Sequence, residues 1–487
     1  MSELANSLEA YQLMPFRFRR LERTPDTVLV TSEAGEHAFL DESSFNQLVN
    51  LKPLNLGIAD DLDARQILCR DDRSLAVRLL ATKLRTRKSF LRHGPSLHIF
   101  VVTLSCDHSC AYCQVSRRIG SAEMPEGVAV AAVERMFESP SPDLTVEFQG
   151  GEPLLAFDRI SQIVRLIEAR NVDGRRRIRY TLTSTLHHLD ERALQFLQHY
   201  NFHVSTSLDG PANLHNGNRP LPTRDSHTRT LEGIAKARAA LGIDGVAALT
   251  TLTKASLEQP EAIVDEYVRL GFRSVFLRPL SPFGFAARAA RRMEYGTSAF
   301  LTFYERALGH VLDLNARGVE IEEVYTAILL KSIFTSYSTG YVDLRSPVGA
   351  GFGTLVYNYD GDVYASDEGR MLAEMGDNSL RMGSVQDFYR DLIDSDAMHL
   401  LAASGLAESL PGCADCAFVH YCGPDPARSL SSAGEPAGHR AWSDHCGRHT
   451  GIFELLFGIV RKANPATMRT FDRWVHGSPG VDRAECA

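Results

Sequence analysis

Long apolar segments and an excess of positive charge are both missing from this sequence of 487 residues. The net charge is −8 at pH 7, so a nucleic-acid-binding surface is not indicated. Met1, Ser2 and Glu3 are not followed by an apolar stretch, so no secretory signal is expected. The apolar segment at residues 452–460 contains Glu454 and is too short to span a bilayer. We therefore expect a cytoplasmic protein with no membrane and no nucleic-acid partner.

Cysteine is also scarce, with nine residues in the chain, and seven of them lie in two short groups. Cysteines that are clustered in this way do not form the spread framework typical of disulfide-rich secreted proteins. They suit a reducing compartment. Of the other two, Cys69 is expected to be a small buried apolar residue, and Cys486 lies one residue from the end.

The first group consists of Cys106, Cys110 and Cys113, with the spacing Cys-x3-Cys-x2-Cys. Three thiolates on one loop can hold three corners of a cubane iron–sulfur cluster, which normally takes four cysteine ligands. The fourth iron would then be free to bind another molecule. Zinc is an alternative, with His98 or His108 as the fourth ligand, although structural zinc sites usually show paired Cys-x2-Cys or His spacings.

Strands and helices are predicted to alternate around and after this loop. The predicted strands cover residues 97–105, 144–148, 178–183, 203–208, 246–252 and 274–278. The predicted helices cover residues 125–138, 157–169, 190–199, 227–240 and 258–270. This alternation indicates a parallel sheet with right-handed crossovers, in which ligands bind at the carboxyl ends of the strands.

Residues suited to ligand binding fall at those carboxyl ends, and they are Gly150, Gly151, Glu152, Pro153, Ser184, Ser207, Asp209 and Arg278. Two glycines let the backbone approach a ligand closely, and the Glu152 carboxylate can accept hydrogen bonds from an ammonium group. Simpler interpretations stay open. Gly-Gly-x-Pro and Asp209-Gly210 are both turn sequences, and Arg278 could be an ordinary surface arginine.

The first cysteine loop, with Tyr112 before its last cysteine, resembles the signature of radical S-adenosylmethionine (SAM) enzymes. The resemblance implies a partial (β/α)6 barrel and a [4Fe-4S] cluster whose fourth iron chelates SAM. An electron passed through the cluster breaks SAM and yields a 5′-deoxyadenosyl radical. The resemblance also implies that Gly150 to Pro153 contact the SAM amino group, that Ser207 contacts its ribose and that Arg278 pairs with its carboxylate.

The second group comprises Cys413, Cys416 and Cys422, followed by Cys446. Four thiolates can close a cluster with no open position, and a set that contains one Cys-x2-Cys pair also suits zinc. The pattern resembles the auxiliary-cluster (SPASM) domain of peptide-modifying radical SAM enzymes, which binds two auxiliary clusters through seven cysteines. The resemblance therefore implies one auxiliary [4Fe-4S] cluster at these four cysteines.

The inner auxiliary cluster of that family has lost its ligands in this chain. Val348, Ser366 and Pro426 stand where the family has cysteines. Asp367 follows Ser366, and in sulfatase-maturing relatives an aspartate after the matching cysteine is a proposed base. We therefore expect Asp367 to be a catalytic proton acceptor. The alternative is a solvated surface acid.

Residues 1–95 are predicted to form a small α+β unit. Strands are expected at residues 16–21, 27–32 and 36–40, and helices at residues 42–49, 62–69 and 75–88, the first capped by Asp41. The layout resembles the winged-helix elements that bind leader peptides, and strand 36–40 would offer an edge to such a peptide. Arg17, Arg19 and Arg20 could attract an acidic leader. The alternative is that this unit only packs on the barrel and shields it.

Three further segments, together with the single-cluster cysteine set, resemble the radical SAM maturases of His-Xaa-Ser repeat systems, and the resemblance covers nearly the whole chain. They are residues 16–21, the Gly-x-Gly at Gly351 to Gly353 and the run Ser366-Asp367-Glu368. The expected parts are a winged-helix-like unit (1–95), the barrel (96–285), a helical bridge (286–345), a SPASM/twitch-like iron–sulfur domain (346–450) and a helical tail (451–487). The resemblance implies a small precursor peptide, a second radical SAM maturase and a flavodoxin or ferredoxin-type electron donor. Two alternatives stay open: a sulfatase-type maturase that forms formylglycine, and a zinc-stabilised peptide-binding scaffold without enzymatic activity.

Overall fold

The computed structural model describes residues 7, 8, 10–70, 72–118, 122–288 and 293–477. Cys486 lies outside these ranges. The first part of the chain forms a three-stranded antiparallel sheet with two short strand pairs beside it. Its strands are Ser7–Leu8, Gln12–Leu13, Phe16–Arg20, Thr27–Ser32, His37–Asp41, Leu54–Asn55 and Leu68–Cys69. Its helices are Glu42–Val49, Leu56–Ala64 and Arg73–Arg87. We call residues 10–92 the N-terminal unit.

A parallel sheet in sequential strand order forms the centre of the molecule. Its strands are Leu97–Thr103, Asp143–Gly150, Arg177–Thr183, His203–Ser207, Val246–Thr251 and Leu277–Arg278. The helices between them are Glu126–Phe137, Phe157–Arg170, Glu191–His199, Ala212–Asn218, Ser226–Leu241 and Pro260–Arg269. Leu144, Val146 and Phe148 of the second strand are buried in the main apolar core. The β/α alternation predicted from the sequence is confirmed.

The same sheet continues into the C-terminal part of the chain. Thr354–Tyr357 pairs in parallel with Leu97–Thr103. Asp362–Tyr364 and Arg381–Ser384 then extend the sheet in antiparallel order. One sheet therefore crosses the boundary expected near residue 346.

Helices dominate the remaining chain. They are Gly284–Arg288, Thr297–Ala316, Val324–Phe334, Asp367–Ala373, Tyr389–Ile393, Asp396–Ser404, Pro426–Ala433, Asp444–Lys462 and Pro465–His476. Short 3-10 helices occur at Ser89–Arg92, Pro153–Ala156, Ile243–Gly245, Lys254–Glu258, Val342–Leu344, Ala407–Ser409 and Arg440–Trp442. Two further short strands, Ser274–Val275 and Glu322–Glu323, pair with each other. Within the described ranges, no helix combines the length and the apolar character needed to cross a membrane.

Two local predictions in the N-terminal unit had opposite outcomes. Helix Glu42–Val49 begins as expected after Asp41, whose carboxylate accepts a hydrogen bond from the Ser44 amide at 2.7 Å. The helix predicted at residues 62–69 is wrong, because the chain leaves helix Leu56–Ala64, turns at Gln66 with a φ of +55° and enters a strand. That strand pairs with Gln12–Leu13, a contact that no local pattern shows.

Candidate active site

The loop with Cys106, Cys110 and Cys113 follows the first parallel strand at its carboxyl end. All three are free thiols. Burial raises the pKa of Cys106 to about 12 and that of Cys110 to about 11. Without a metal these two thiols are therefore protonated at neutral pH, and metal binding must release protons. Three thiols on one short loop fit a cubane cluster with one open iron.

A buried polar network fixes this loop to the barrel. The Tyr112 hydroxyl donates to the Asp209 carboxylate at 2.8 Å, and Arg219 Nη1 donates to the Tyr112 hydroxyl at 2.6 Å. All three side chains are buried. Asp209 is therefore not a simple turn residue, since its carboxylate positions the cysteine loop. Arg219 completes the network.

Asp107 and two histidines form a second contact network that the sequence did not indicate. The Asp107 carboxylate accepts from His108 Nδ1 at 2.8 Å and from His188 Nε2 at 3.1 Å. His108 Nε2 lies 3.0 Å from the Ser226 hydroxyl, so both of its ring nitrogens are engaged. His98 is the second residue of strand Leu97–Thr103, far from the carboxyl end of that strand. Its Nδ1 lies 3.0 Å from the Tyr357 hydroxyl. His98 is therefore excluded as a zinc ligand at this loop, while His108 stays within reach of Cys106.

The Gly150 to Pro153 segment packs against the chain that leads into the cysteine loop. A Cβ atom at Gly150 would lie 2.1 Å from the Thr103 carbonyl oxygen, and one at Gly151 would lie 2.2 Å from that of Ser105. The glycines are thus required by close contact with the chain's own backbone. The buried Glu152 carboxylate accepts from the Ser184 hydroxyl at 2.6 Å and from the Thr185 amide at 2.7 Å. Glu152 and Ser184 therefore hold two strand ends together.

Ser207 and Arg278 are half-buried at the ends of their strands. Glu147 faces the barrel interior and was missed. Its carboxylate accepts from the Thr183 hydroxyl at 2.9 Å, and burial raises its pKa. The signal was present in the sequence, because strand Asp143–Gly150 alternates polar and apolar residues where a parallel strand buried on both faces is usually apolar throughout.

The four C-terminal cysteines border one partly open cavity. They are Cys413, Cys416, Cys422 and Cys446, and all are free thiols. Burial raises the pKa of Cys413 to about 12 and also raises the pKa of Cys422. The cavity is further lined by Arg440 and His449. Four thiols around one cavity fit either a closed iron–sulfur cluster or zinc.

Residues 100–267, which include the first cysteine loop, match the family described as the Radical SAM superfamily. The chain carries a radical SAM domain. A cysteine-type anaerobic sulfatase-maturating enzyme of Clostridium perfringens is 31% identical over 134 residues, which are 26% of this chain. The matched part spans about a third of that relative, 35% of its length.

Two solved structures share the fold. The structure of anSMEcpe with bound AdoMet gives a TM-score of 0.63 at 19% identity and covers 77% of this chain and 100% of that one. Streptococcus suis SuiB bound to the precursor peptide SuiA gives a TM-score of 0.53 at 14% identity and covers 90% of this chain and 100% of that one. The radical SAM domain of this chain is thus joined to a cysteine-rich C-terminal region in a fold seen in both.

Val348, Ser366 and Pro426, the positions where the resemblance implies inner-cluster cysteines, border one partly open cavity. None of the cysteines in the described ranges lines this cavity. Its polar lining consists mainly of carboxylates, from Asp343, Glu368 and Asp425. Burial, reinforced by the neighbouring Asp343 and Asp367, raises the pKa of Glu368 to about 8.

Asp367 lies beside this carboxylate-lined cavity, in the first turn of helix Asp367–Ala373. Its side chain is 12% exposed and pairs with buried Arg370 at 2.9 Å between Oδ1 and Nε. Asp367 also interacts electrostatically with Glu147 and Arg278 of the radical SAM domain. The residue therefore faces the barrel rather than open solvent.

Proposed function

We propose that this protein is a radical SAM peptide maturase that abstracts hydrogen from a ribosomally made precursor peptide. The observation that carries the proposal is the three-thiol loop at the carboxyl end of the first barrel strand, inside the radical SAM domain. When bound there, a [4Fe-4S] cluster supplies the electron that cleaves SAM to a 5′-deoxyadenosyl radical.

Cys106, Cys110 and Cys113 would hold that cluster. We propose that Gly150 to Pro153 and Ser207 line the SAM site and that Arg278 faces the SAM carboxylate. Tyr112, Ser184 and Asp209 would support this site by fixing the loops around it, since their polar atoms are already bonded to protein groups.

Cys413, Cys416, Cys422 and Cys446 would hold one auxiliary [4Fe-4S] cluster, with zinc as the rival metal. Asp367 would accept the proton that is released when the substrate is oxidised. Its place between the carboxylate-lined cavity and the barrel supports this role.

A peptide substrate is supported by two of the structures with this fold. One is anSMEcpe with bound AdoMet and a Kp18Cys peptide, and the other is SuiB bound to SuiA. For this chain we propose a small precursor peptide, with His-Xaa-Ser repeats as the specific form. The same proposal includes a second radical SAM maturase and a flavodoxin or ferredoxin-type electron donor as partners. It also includes a cytoplasmic location and the division of the chain into the five parts given above.

The N-terminal unit is proposed to bind the leader of that peptide. Strand His37–Asp41 is an outer strand of its sheet and pairs with no second neighbour in the part of the chain that the structure describes. Arg17, Arg19 and Arg20 are each already paired with a glutamate, which weakens the case that they attract an acidic leader. Their partners are Glu33, Glu454 and Glu42, respectively. Anisotropy titration of labelled leader with full-length protein tests the role, and no saturable binding would contradict it.

The test of function is co-expression with a small candidate precursor peptide that carries His-Xaa-Ser repeats, followed by mass spectrometry of the peptide. A loss of two hydrogens that depends on Cys106, Cys110 and Cys113 would indicate a crosslink. An unmodified peptide, with an active enzyme shown by SAM cleavage, would contradict the proposed substrate.

A sulfatase-type maturase is the second candidate, favoured by the 31% identity to the Clostridium perfringens enzyme. Residues 348, 366 and 426 argue against it, because they cannot ligate an inner cluster. Incubation with a sulfatase peptide that contains the target Cys or Ser tests it, since formylglycine is recognised by its aldehyde. A zinc-stabilised scaffold would instead lack iron and a cluster absorption band.

A further inference from the structure

The loop between Cys413 and Cys422 is covered by the N-terminal unit rather than by the barrel. The Thr31 hydroxyl donates to the Ala417 carbonyl at 3.0 Å, and the Tyr421 hydroxyl donates to the Gly35 carbonyl at 2.9 Å. Arg17 Nε donates to the Ala414 carbonyl. Each of these bonds joins residues almost 400 positions apart in sequence to the segment that carries three of the four thiols.

Arg87 joins three separate segments at this contact. Its guanidinium donates to the carbonyl oxygens of Ala34 at 3.3 Å and of Ser332, His420 and Thr335 at 3.1 Å. The residue is only 9% exposed. A planar guanidinium has its N–H groups in a fixed geometry, so four carbonyls bonded to it cannot move independently. Arg87 therefore fixes the cysteine loop relative to both the N-terminal unit and helix Val324–Phe334.

The packing at this contact is tight. Gly35 has a φ of +78°, and a Cβ atom there would lie 2.9 Å from His420 Cβ and 3.0 Å from Arg87 Nη2. His420 Nε2 lies 3.3 Å from Arg17 Nη1 on the other side. The hairpin turn of the N-terminal unit thus rests directly on the residue two positions before Cys422.

We propose that the N-terminal unit and the auxiliary cysteine loop form one coupled unit, in which Arg87 is the positioning residue for the segment from Cys416 to Cys422. The inference rests on the proposed auxiliary metal site and adds a role for the N-terminal unit. Because coupling is reciprocal, a ligand of the N-terminal unit raises the metal affinity of the thiols, and metal bound by the thiols stabilises the N-terminal unit and raises its affinity for that ligand by the same factor.

Metal retention tests the first direction. In a Cys106→Ala, Cys110→Ala, Cys113→Ala background, the only cluster site left is the auxiliary one. In that background, Arg87→Met should lower the metal affinity of the auxiliary site about tenfold, the effect typical of a lost supporting contact. Competition with a chelator measures this affinity. Arg176→Met is the matched control, since Arg176 also donates to several carbonyls, those of residues 137, 139 and 141, on the far side of the barrel. Equal retention in both variants would overturn the proposal.

Hydrogen exchange tests the second direction. Cys446→Ala, which removes one ligand, should speed amide exchange in residues 27–41 about tenfold or more and leave barrel strands 97–103 and 143–150 unchanged. Unchanged exchange in residues 27–41 would contradict the coupling.

Two milder variants keep the test decisive if Arg87→Met does not fold. Thr31→Val and Tyr421→Phe each remove one hydroxyl donor at nearly constant volume. In the metal-free protein, Thr31→Val should speed exchange in residues 413–422, and no change would overturn the coupling. The metal content of the protein tests the proposed function independently of the coupling. A chain that binds neither iron nor zinc at these thiols contradicts the proposed function, whereas exchange in the metal-free protein still tests the coupling.

Discussion

The two cysteine loops are held in place by different parts of the molecule. The first loop is fixed by side chains at the ends of neighbouring barrel strands, through Tyr112, Asp209 and Arg219. The second is fixed by the N-terminal unit, through Arg87 and Thr31. The first loop therefore depends on the sheet that carries it, whereas the second depends on a contact between distant parts of the chain.

A carboxylate-lined cavity lies where the resembled family has its inner cluster. The second loop lines its own cavity with four thiols, while this neighbouring cavity is lined by Asp343, Glu368 and Asp425. Burial raises the pKa of all three of these carboxyl groups. The two neighbouring cavities therefore differ in chemistry, one lined by thiols and the other by carboxylates.

The largest expected effect is the loss of SAM cleavage when the first cysteine loop, and not the second, loses its thiols. Replacement of Cys106, Cys110 and Cys113 by alanine should abolish reductive SAM cleavage, because no other thiols face the barrel mouth in the described residues. Chromatography of 5′-deoxyadenosine measures this. The Cys69→Ala variant is the control and should cleave SAM at the parent rate. Residual cleavage in the triple variant would contradict the assignment of the first loop.

Asp367→Asn tests the cavity beside the second loop. Loss of a proton acceptor should lower peptide modification by about 100-fold while SAM cleavage without peptide continues. Quantitative mass spectrometry of the product measures the first, and 5′-deoxyadenosine the second. Because Asp367 also neutralises buried Arg370, iron content must match the parent protein. Unchanged product yield would show that Asp367 only pairs with Arg370.

Asp209→Asn tests how the barrel holds the first loop. The variant removes the buried charge that accepts the Tyr112 hydroxyl hydrogen bond, and loss of this charge-assisted bond should cost about 3 kcal/mol of unfolding free energy. Urea denaturation of the metal-free protein measures this. Asp158→Asn is the control, since the Asp158–Arg192 pair is 82% and 62% exposed and should contribute less than about 1 kcal/mol. Equal losses in both variants would refute a special role for the network.

Glu368→Gln should give the smallest effect, and one that depends on pH. The unfolded chain releases the Glu368 proton near its ordinary pKa of 4.5, while the folded chain holds it to about 8. Glu368 therefore lowers stability increasingly as pH rises from about 5 to about 8, and glutamine removes this cost. The variant should gain about 2 kcal/mol more at pH 9 than at pH 6. Thermal unfolding at the two pH values measures this, and an equal gain at both would contradict the raised pKa.

Sequence patterns predicted the parts of this fold that depend on local signals. Asp41 as a helix cap and the alternating strands and helices of the barrel were both found as expected. Contacts between distant segments were not predictable. Thr354 pairs with Leu97 across more than 250 residues, and Arg87 bonds to His420 across 333.

The candidate site shows the same division. The cysteine spacings indicated both thiol groups because metal ligands recur at short, regular intervals. The roles of Asp209, Glu152 and Glu147 depend on which strand ends lie side by side. The sequence therefore placed Asp209 and Glu152 near the site without their partners, and it did not indicate Glu147.

Iron content is the measurement that tests the account most directly. Anaerobically reconstituted protein should contain about eight irons per chain, as two cubanes of four, and the Cys106, Cys110, Cys113 triple alanine variant should retain about four. Twelve irons would show that the carboxylate-lined cavity still holds a cluster. About four irons together with tightly bound zinc would contradict an iron–sulfur cluster at Cys413, Cys416, Cys422 and Cys446.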